Sequence, residues 1–281
     1  MIPKIIHYCW FGHNPLPKSA VKCIASWRKY LPDYEIKEWN EDNFDVNIIP
    51  YTREAYEAKK YAFVSDYARF WILYHHGGLY FDTDVEVIRP MDDIIARGPF
   101  MGVEKGAHIA VDDGTASTKN SSAVALGLGL GVNPGLGLGV NPGLGRGVNP
   151  GLGLGVNPGL GLYRDLLDYY NGLHFVDEHG EQIPGTIVMH TTKVLYSKGL
   201  PTAIEEPTVV AGVWIYPEDY FCPMDSTTGI TRLTPRSVSI HHYDCSWMDH
   251  SAWRFRLHQL KNVLFRLLGP RITAMIYRKR K

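Results

Sequence analysis

Hydrophobic and polar positions change their period several times along this chain, and each change marks a structural element. An apolar run over residues 4–10 ends at Gly12, with Asn14, Pro15 and Pro17 close behind, which predicts a buried first strand followed by a turn. Val21, Ile24, Ala25 and Trp27 recur at helical spacing and predict a helix over 18–30, stopped by Pro32-Asp33. Tyr34-Glu35-Ile36-Lys37-Glu38-Trp39 alternates as a half-buried strand does. Strand, helix, strand in that order predicts an α/β sheet. Residues 52–76 read as one or two helices closed by Gly77-Gly78. Leu79-Tyr80-Phe81 is then a short strand that runs into Asp82-Thr83-Asp84, and residues 85–88 stay extended up to Arg89-Pro90. Helices are predicted over 163–173 and 187–197, strands over 209–216 and 237–240, and a final amphipathic basic helix over 251–268.

Residues 126–162 follow neither period. The octapeptide Val-Asn-Pro-Gly-Leu-Gly-Leu-Gly begins at Val132, recurs at Val140 with Arg146 in place of a leucine, and recurs again at Val148 and Val156. Glycine at this density disfavours helix and strand, and each Pro-Gly favours a turn. The expectation is a flexible surface insertion in a domain that spans 1–250, followed by a basic tail over 251–281.

Composition narrows the class without choosing a function. With 281 residues, 45% hydrophobic and 21% charged, the chain has the make-up of a globular protein with a full core. Lys+Arg and Asp+Glu both total 29, so there is no overall basic excess to point to nucleic acid. After Asp249, however, only basic charges remain, from Arg254 to Lys281. Interleaved with Trp253, Phe255, Leu260 and Leu264, they suit peripheral contact with an anionic membrane surface. The four cysteines, Cys9, Cys23, Cys222 and Cys245, have neither metal-site spacing nor disulfide-scaffold density and read as reduced thiols. The N-terminus lacks the apolar core of a signal peptide, and no stretch approaches the roughly 20 apolar residues of a membrane span. A cytoplasmic protein, peripheral at the inner face of the membrane, is the expectation.

The chemistry gathers around Asp82 and Asp84. Alternate residues of an extended segment share a face, so the two carboxylates are expected to converge on one divalent cation, Mn²⁺ or Mg²⁺. Such a cation offsets the charge that grows on a departing diphosphate. An EF-hand is excluded by Val87, which stands where the loop needs glycine. A haloacid-dehalogenase-like sugar phosphatase also places an aspartate pair after an apolar strand, and a non-catalytic carbohydrate-binding protein is a further alternative. Upstream, Asp66 and Arg69 lie three residues apart on one helical face, a carboxylate for hydroxyls and a guanidinium for an oxyanion.

Ser65-Asp66-x-x-Arg69 followed by Gly77-Gly78-Leu79-Tyr80-Phe81-Asp82-Thr83-Asp84 resembles the DXD sugar-binding region of glycosyltransferase family 32, particularly its bacterial capsular and exopolysaccharide members. The opening Ile2-Pro3-Lys4-Ile5-Ile6-His7-Tyr8-Cys9-Trp10-Phe11-Gly12 and the closing His241-His242-x-x-x-Ser246-Trp247 are similar to that family too. The resemblance implies a GT-A fold, a Rossmann-like mixed sheet flanked by helices, with transfer from a nucleotide-sugar donor to a saccharide or lipid-linked acceptor and retention of configuration. It also implies roles. Trp10 stacks on the donor base, Asp66 and Arg69 hold the donor sugar, Tyr80 lines the nucleotide pocket, and Asp82 and Asp84 bind ribose and metal, Asp84 first. Trp247 closes over the diphosphate, and His242 is favoured over His241 to complete the metal shell. Asn120 is the candidate for an asparagine that family members often carry in the loop after Gly102-Val103-Glu104.

Overall fold

The computed structural model of the protein describes residues 1–105, 146–226 and 229–244. β1 (Ile5–Cys9), α1 (Lys18–Tyr30) and β2 (Glu35–Trp39) make a βαβ unit whose strands pair in parallel, Ile5 opposite Glu35 and Cys9 opposite Trp39. Two helices follow, α2 (Pro50–Glu57) and α3 (Tyr61–His76); proline opens α2, where its missing N–H has no helical partner to lose. Gly77 and Gly78, at φ 64° and 97°, turn the chain from α3 into β3 (Gly78–Tyr80). A Cβ on Gly78 would stand 2.6 Å from the Ile5 carbonyl oxygen, so only glycine lets β3 lie this close to β1. β4 (Val85–Val87), α4 (Asp92–Ala96) and β5 (Phe100–Lys105) come next. The second part contains β6 (Arg146–Asn149), β7 (Leu154–Val156), α5 (Gly161–Asn171) and α6 (Ile187–Ser197). It closes with β8 (Thr208–Val210), β9 (Val213–Tyr216), α7 (Glu218–Phe221) and β10 (Ser239–His241).

The main sheet runs β2-β1-β3-β7-β5-β9-β8, with β6 also paired to β5. It is mixed: β1 is parallel to both neighbours, β7 is antiparallel to β3 and β5, and β5 is parallel to β9. Side chains alternate between its faces. Ile6, Tyr8, Leu79 and Phe81 pack with Trp27 of α1 and Phe221 of α7, whereas Cys9 and Tyr80 join the core under α3 and α5. Trp27 is fully buried and its indole N–H donates to the Val85 carbonyl at 2.7 Å, tying α1 to the separate two-stranded ribbon of β4 and β10. The α/β class, a mixed sheet with helices on its faces, is as expected from the sequence.

Four features differ from the sequence reading. Residues 209–216 are a hairpin, not one strand, because Ala211 and Gly212 both take positive φ, 48° and 79°, and reverse the chain between β8 and β9. The short helices α4 and α7 carry too few turns to show a period. Residues 82–84 form a turn, closed by the Val85 N–H on the Asp82 carbonyl at 3.0 Å, so the alternate-residue argument for the aspartates does not apply.

The largest correction concerns the repeat. Residues 146–156 are not a surface insertion: β6 and β7 lie inside the sheet, and Val148, Leu152, Leu154 and Val156 are fully buried. Glycine here serves close packing; a Cβ on Gly155 would come within 2.2 Å of the Phe100 ring. Gly102 of β5 faces Asn149, and Phe100 faces Gly155. Between these pairs β5 advances two residues and the repeat six, so the four residues Pro150–Gly153 are looped out of the ladder as an extended bulge. The repeat copies before residue 146, Asn120, Trp247 and the tail 251–281 lie outside the described residues.

Candidate active site

The end of β3, the middle of α3 and the repeat bulge meet at Arg69. This side chain is 3% exposed. Its Nε donates to the Ser65 carbonyl at 3.0 Å, Nη2 donates to Ser65 Oγ at 3.1 Å and to Asp66 Oδ1 at 3.2 Å, and Nη1 donates to Asp82 Oδ2 at 3.1 Å. The guanidinium also lies over the Tyr80 ring, 4.8 Å from its centroid. Burial opposes its charge, but Asp82, Tyr80 and Asp66 outweigh burial and raise its pKa. Helical spacing is the reason the set exists: Ser65, Asp66 and Arg69 fall on one face of α3, which ends directly before β3.

Asp66 and Asp82 share this one cation but differ in environment. Burial pushes the Asp66 carboxyl up to about 7; Arg69 pulls it down and Asp82 pushes it further up. Asp82 is more open, its side chain 28% exposed, and its second oxygen accepts from the Tyr80 hydroxyl at 3.2 Å. Tyr80 itself is 1% exposed. Held in a central strand against the Arg69 guanidinium, it braces Asp82 through its hydroxyl.

Asp84 looks to a different set of partners. Its Oδ2 accepts from the Asp244 N–H at 3.0 Å and lies 3.3 Å from His241 Nε2. Burial would raise this carboxyl, but His241 and the Asp244 N–H hold it below the usual carboxylate range. His241 is raised well above an ordinary imidazole, Asp84 overcoming the effect of burial. His242 is the residue displaced from the expected role. Successive strand residues face opposite ways, and His242 Nε2 pairs with Glu86 Oε2 at 2.8 Å while its backbone N–H caps the Asp84 carbonyl. The imidazole beside Asp84 is thus His241.

Three further residues, which the sequence reading did not place in the site, border the aspartates. Glu104, at the end of β5, lies 3.9 Å from His241 Nδ1 and is raised by burial, with Asp84 and Asp82 both adding to the shift. Asn149 donates its side-chain amide N–H to Glu104 Oε2 and accepts from the Gly151 N–H at 2.7 Å. The Gly151 carbonyl in turn accepts the Asp82 N–H at 3.0 Å. A Cβ on Gly151 would sit 1.8 Å from Asp82 Oδ2 and 3.1 Å from Arg69 Nη1. Eight-residue repetition hid these positions, since it made Asn149 and Gly151 look like any other copy. Trp10 is half-buried just past β1, and its indole N–H donates to the Asn14 carbonyl at 2.6 Å.

Hard carboxylate oxygens at the mouth of a sheet suit a divalent cation. Among the described residues no cluster of three or more His, Cys, Asp or Glu forms a ready cage. Carboxylates such as Asp82 and Asp84 are the donor type that divalent cations of the magnesium kind take, one or two of them sharing the ion with substrate phosphates and water.

Comparison with known proteins bears on the same residues. An inositol phosphoceramide mannosyltransferase of Schizosaccharomyces pombe is 30% identical over 111 residues, 36% of this chain and 33% of that protein. An uncharacterized glycosyltransferase of Acanthamoeba polyphaga mimivirus is 33% identical over 111 residues, 37% of this chain and 44% of that protein. The chain therefore spans about a third to under a half of the length of these curated relatives. A solved structure described as PaToxG glycosyltransferase aligns with a TM-score of 0.44 at 15% identity, covering 70% of each chain. Residues 17–101, which carry Asp66, Arg69, Asp82 and Asp84, match the family model described as a glycosyltransferase sugar-binding region containing a DXD motif.

Proposed function

We propose that the protein is a glycosyltransferase of GT-A type that transfers a sugar, with retention of configuration, from a nucleotide-sugar donor. The observation that carries this reading is the Arg69 hub: a buried guanidinium that orients Asp66 and the partly open Asp82 toward one mouth of the sheet, within the segment similar to a sugar-binding region. A buried cation bonded to two carboxylates leaves little freedom in either, which is the preorganisation a donor site needs. The same pairing weighs against the phosphatase alternative, because Asp82, already held by Arg69 and Tyr80, is poorly placed to attack phosphorus.

In this reading Asp84 and Asp82 hold Mn²⁺ or Mg²⁺, and His241 rather than His242 supports Asp84. The bound cation supplies the Lewis acid that stabilises the leaving diphosphate. Asp82 and Asp66 accept hydrogen bonds from donor hydroxyls. Arg69, with Nε and both Nη atoms engaged, keeps these carboxylates in place and adds positive charge near the leaving group. Trp10 offers its face to the base. The acceptor hydroxyl attacks from the face that the diphosphate leaves, without a covalent intermediate.

The acceptor is a saccharide or a lipid-linked glycan, as in synthesis of a surface polysaccharide. A relative named for its action on inositol phosphoceramide supports an amphiphilic acceptor. No helix among the described residues is long and apolar enough to cross a membrane. The basic charges that follow Asp249 in the sequence, interleaved with apolar residues, support contact of the tail with an anionic surface that carries such an acceptor. The test is a donor screen: UDP- and GDP-sugars with MnCl2, scored for nucleotide release with and without a mixed-glycan acceptor. Release from one donor class, lost on chelation, supports the proposal; inorganic phosphate release from sugar phosphates without any acceptor contradicts it.

A further inference from the structure

The repeat is built into the sheet, and its bulge meets the site at Asp82 and Arg69. That contact runs through two backbone groups and one side chain. Asn149 is 6% exposed, and both ends of its side-chain amide are engaged within the protein. Its side-chain oxygen Oδ1 accepts from the N–H two residues ahead, on Gly151, the local bond that lets asparagine fix a turn. The fixed peptide then presents the Gly151 carbonyl to the Asp82 N–H. Glu104 locks the other end of the Asn149 amide.

Steric fit makes the relay exact in direction. Gly151 lies so close that even a methyl group would overlap the Asp82 carboxylate. A bulge that moved by a fraction of an ångström toward β3 would press on Asp82 and Arg69; one that moved away would lose the Asp82 N–H. Holding it at the right depth therefore matters to the carboxylate and not only to the fold.

We infer that Asn149 is a positioning residue for the Asp82–Arg69 pair, acting through Gly151, and that one octapeptide unit is thereby a working wall of the donor site. This rests on the donor-site reading above. A neighbouring bond supplies the control for a merely structural role: Thr192 Oγ1 accepts the Val148 N–H at 2.9 Å, next to Asn149 on the same strand, but does not touch the bulge.

The experiment titrates the full chain with UDP and with GDP in MnCl2 by calorimetry, for wild type, Asn149→Ala and Thr192→Val, and records donor KM and kcat beside the melting temperature. Asn149→Ala should bind the preferred nucleotide about tenfold more weakly, the size of effect expected from one lost hydrogen bond, with donor KM raised in step. Thr192→Val should lower the melting temperature and leave donor KM and affinity at the wild-type values. Asn149→Ser keeps an oxygen for the Gly151 N–H and should recover part of the loss; it also carries the test if the alanine variant does not fold, by binding more weakly than Thr192→Val. Wild-type affinity in Asn149→Ala, or equal losses in Asn149→Ala and Thr192→Val, overturns the inference alone. A wild type that binds neither nucleotide and releases none from any donor overturns the donor-site reading with it.

Discussion

Single residues show where the energetics of this site are most exposed to change. Gly151 has no room for a side chain, so Gly151→Ala forces either Asp82 or the bulge to move. Overpacking of this kind costs about 1–3 kcal/mol, and here the displaced atom is a carboxylate oxygen of the site. The expected result is donor turnover reduced far more than the melting temperature; an active variant with an unaltered KM would contradict the contact. His7 makes a second residue-scale case. Its Nδ1 faces the Trp39 indole N–H at 3.0 Å and so must accept, while Nε2 meets the Gly77 carbonyl at 3.0 Å and so must donate. A second proton has no acceptor, and burial lowers the ring's pKa from 6.5 to about 4. Below pH 6.5 the unfolded chain takes up a proton that the folded chain refuses until about pH 4. Stability therefore falls as pH drops through that window, by on the order of 3 kcal/mol from this ring. His190, also lowered to about 4 by burial, adds to the same trend. Denaturant melts from pH 7 to 4 should show a shallower acid slope for His7→Gln than for wild type.

At the scale of elements, legibility followed periodicity. The βαβ opening and the Ser65–Arg69 helix were readable because each has enough residues to display its period and a glycine or proline stop. The hairpin at 208–216 was not, since Ala211 gives no sequence warning that it will take positive φ. Nor were β6 and β7. Gly-Val and Gly-Leu steps do alternate, but with no side chain on one face they read as turn-rich chain until Phe100 and Phe221 are seen filling that face. In the site, Asp66, Arg69, Asp82 and Asp84 were found by motif, whereas Glu104, Asn149 and Gly151 come from segments distant in sequence and joined only by the sheet. The repeat's own variation makes a prediction here. Arg146 stands in the copy before where Leu154 stands in this one, and Leu154 is fully buried opposite Tyr80. An eight-residue slip of register would bury that arginine without a partner. Leu154→Arg, which imposes the same burden in place, should cost several kcal/mol, of the order of 3–5 for an uncompensated buried charge, and is expected to abolish cooperative unfolding.

Across the whole molecule the described sheet carries two separate jobs. One edge of the mouth holds Asp82 through Arg69 and the repeat; the other holds Asp84 through His241 on the β4–β10 ribbon. The two aspartates are therefore held by different partners, with Glu104 electrostatically coupled to both, and in the proposed reading a cation with a diphosphate binds across them. Thermal melting should rise with UDP or GDP only when MnCl2 is also present, because in the proposed site the diphosphate binds to the carboxylates through the cation. The membrane contact proposed for the basic tail is tested at this scale. Full-length protein should pellet with vesicles rich in anionic phospholipid, and a chain ending at residue 250 should not; equal pelleting would contradict a membrane role for residues 251–281. The most direct measurement is nucleotide release from the preferred sugar donor in MnCl2, comparing wild type with Asp84→Ala under conditions where both show the same far-ultraviolet dichroism. A fall of about 10²- to 10³-fold or more is what loss of transition-state charge stabilisation predicts. An unchanged rate would contradict the assignment of Asp82-Thr83-Asp84 as the heart of a donor site.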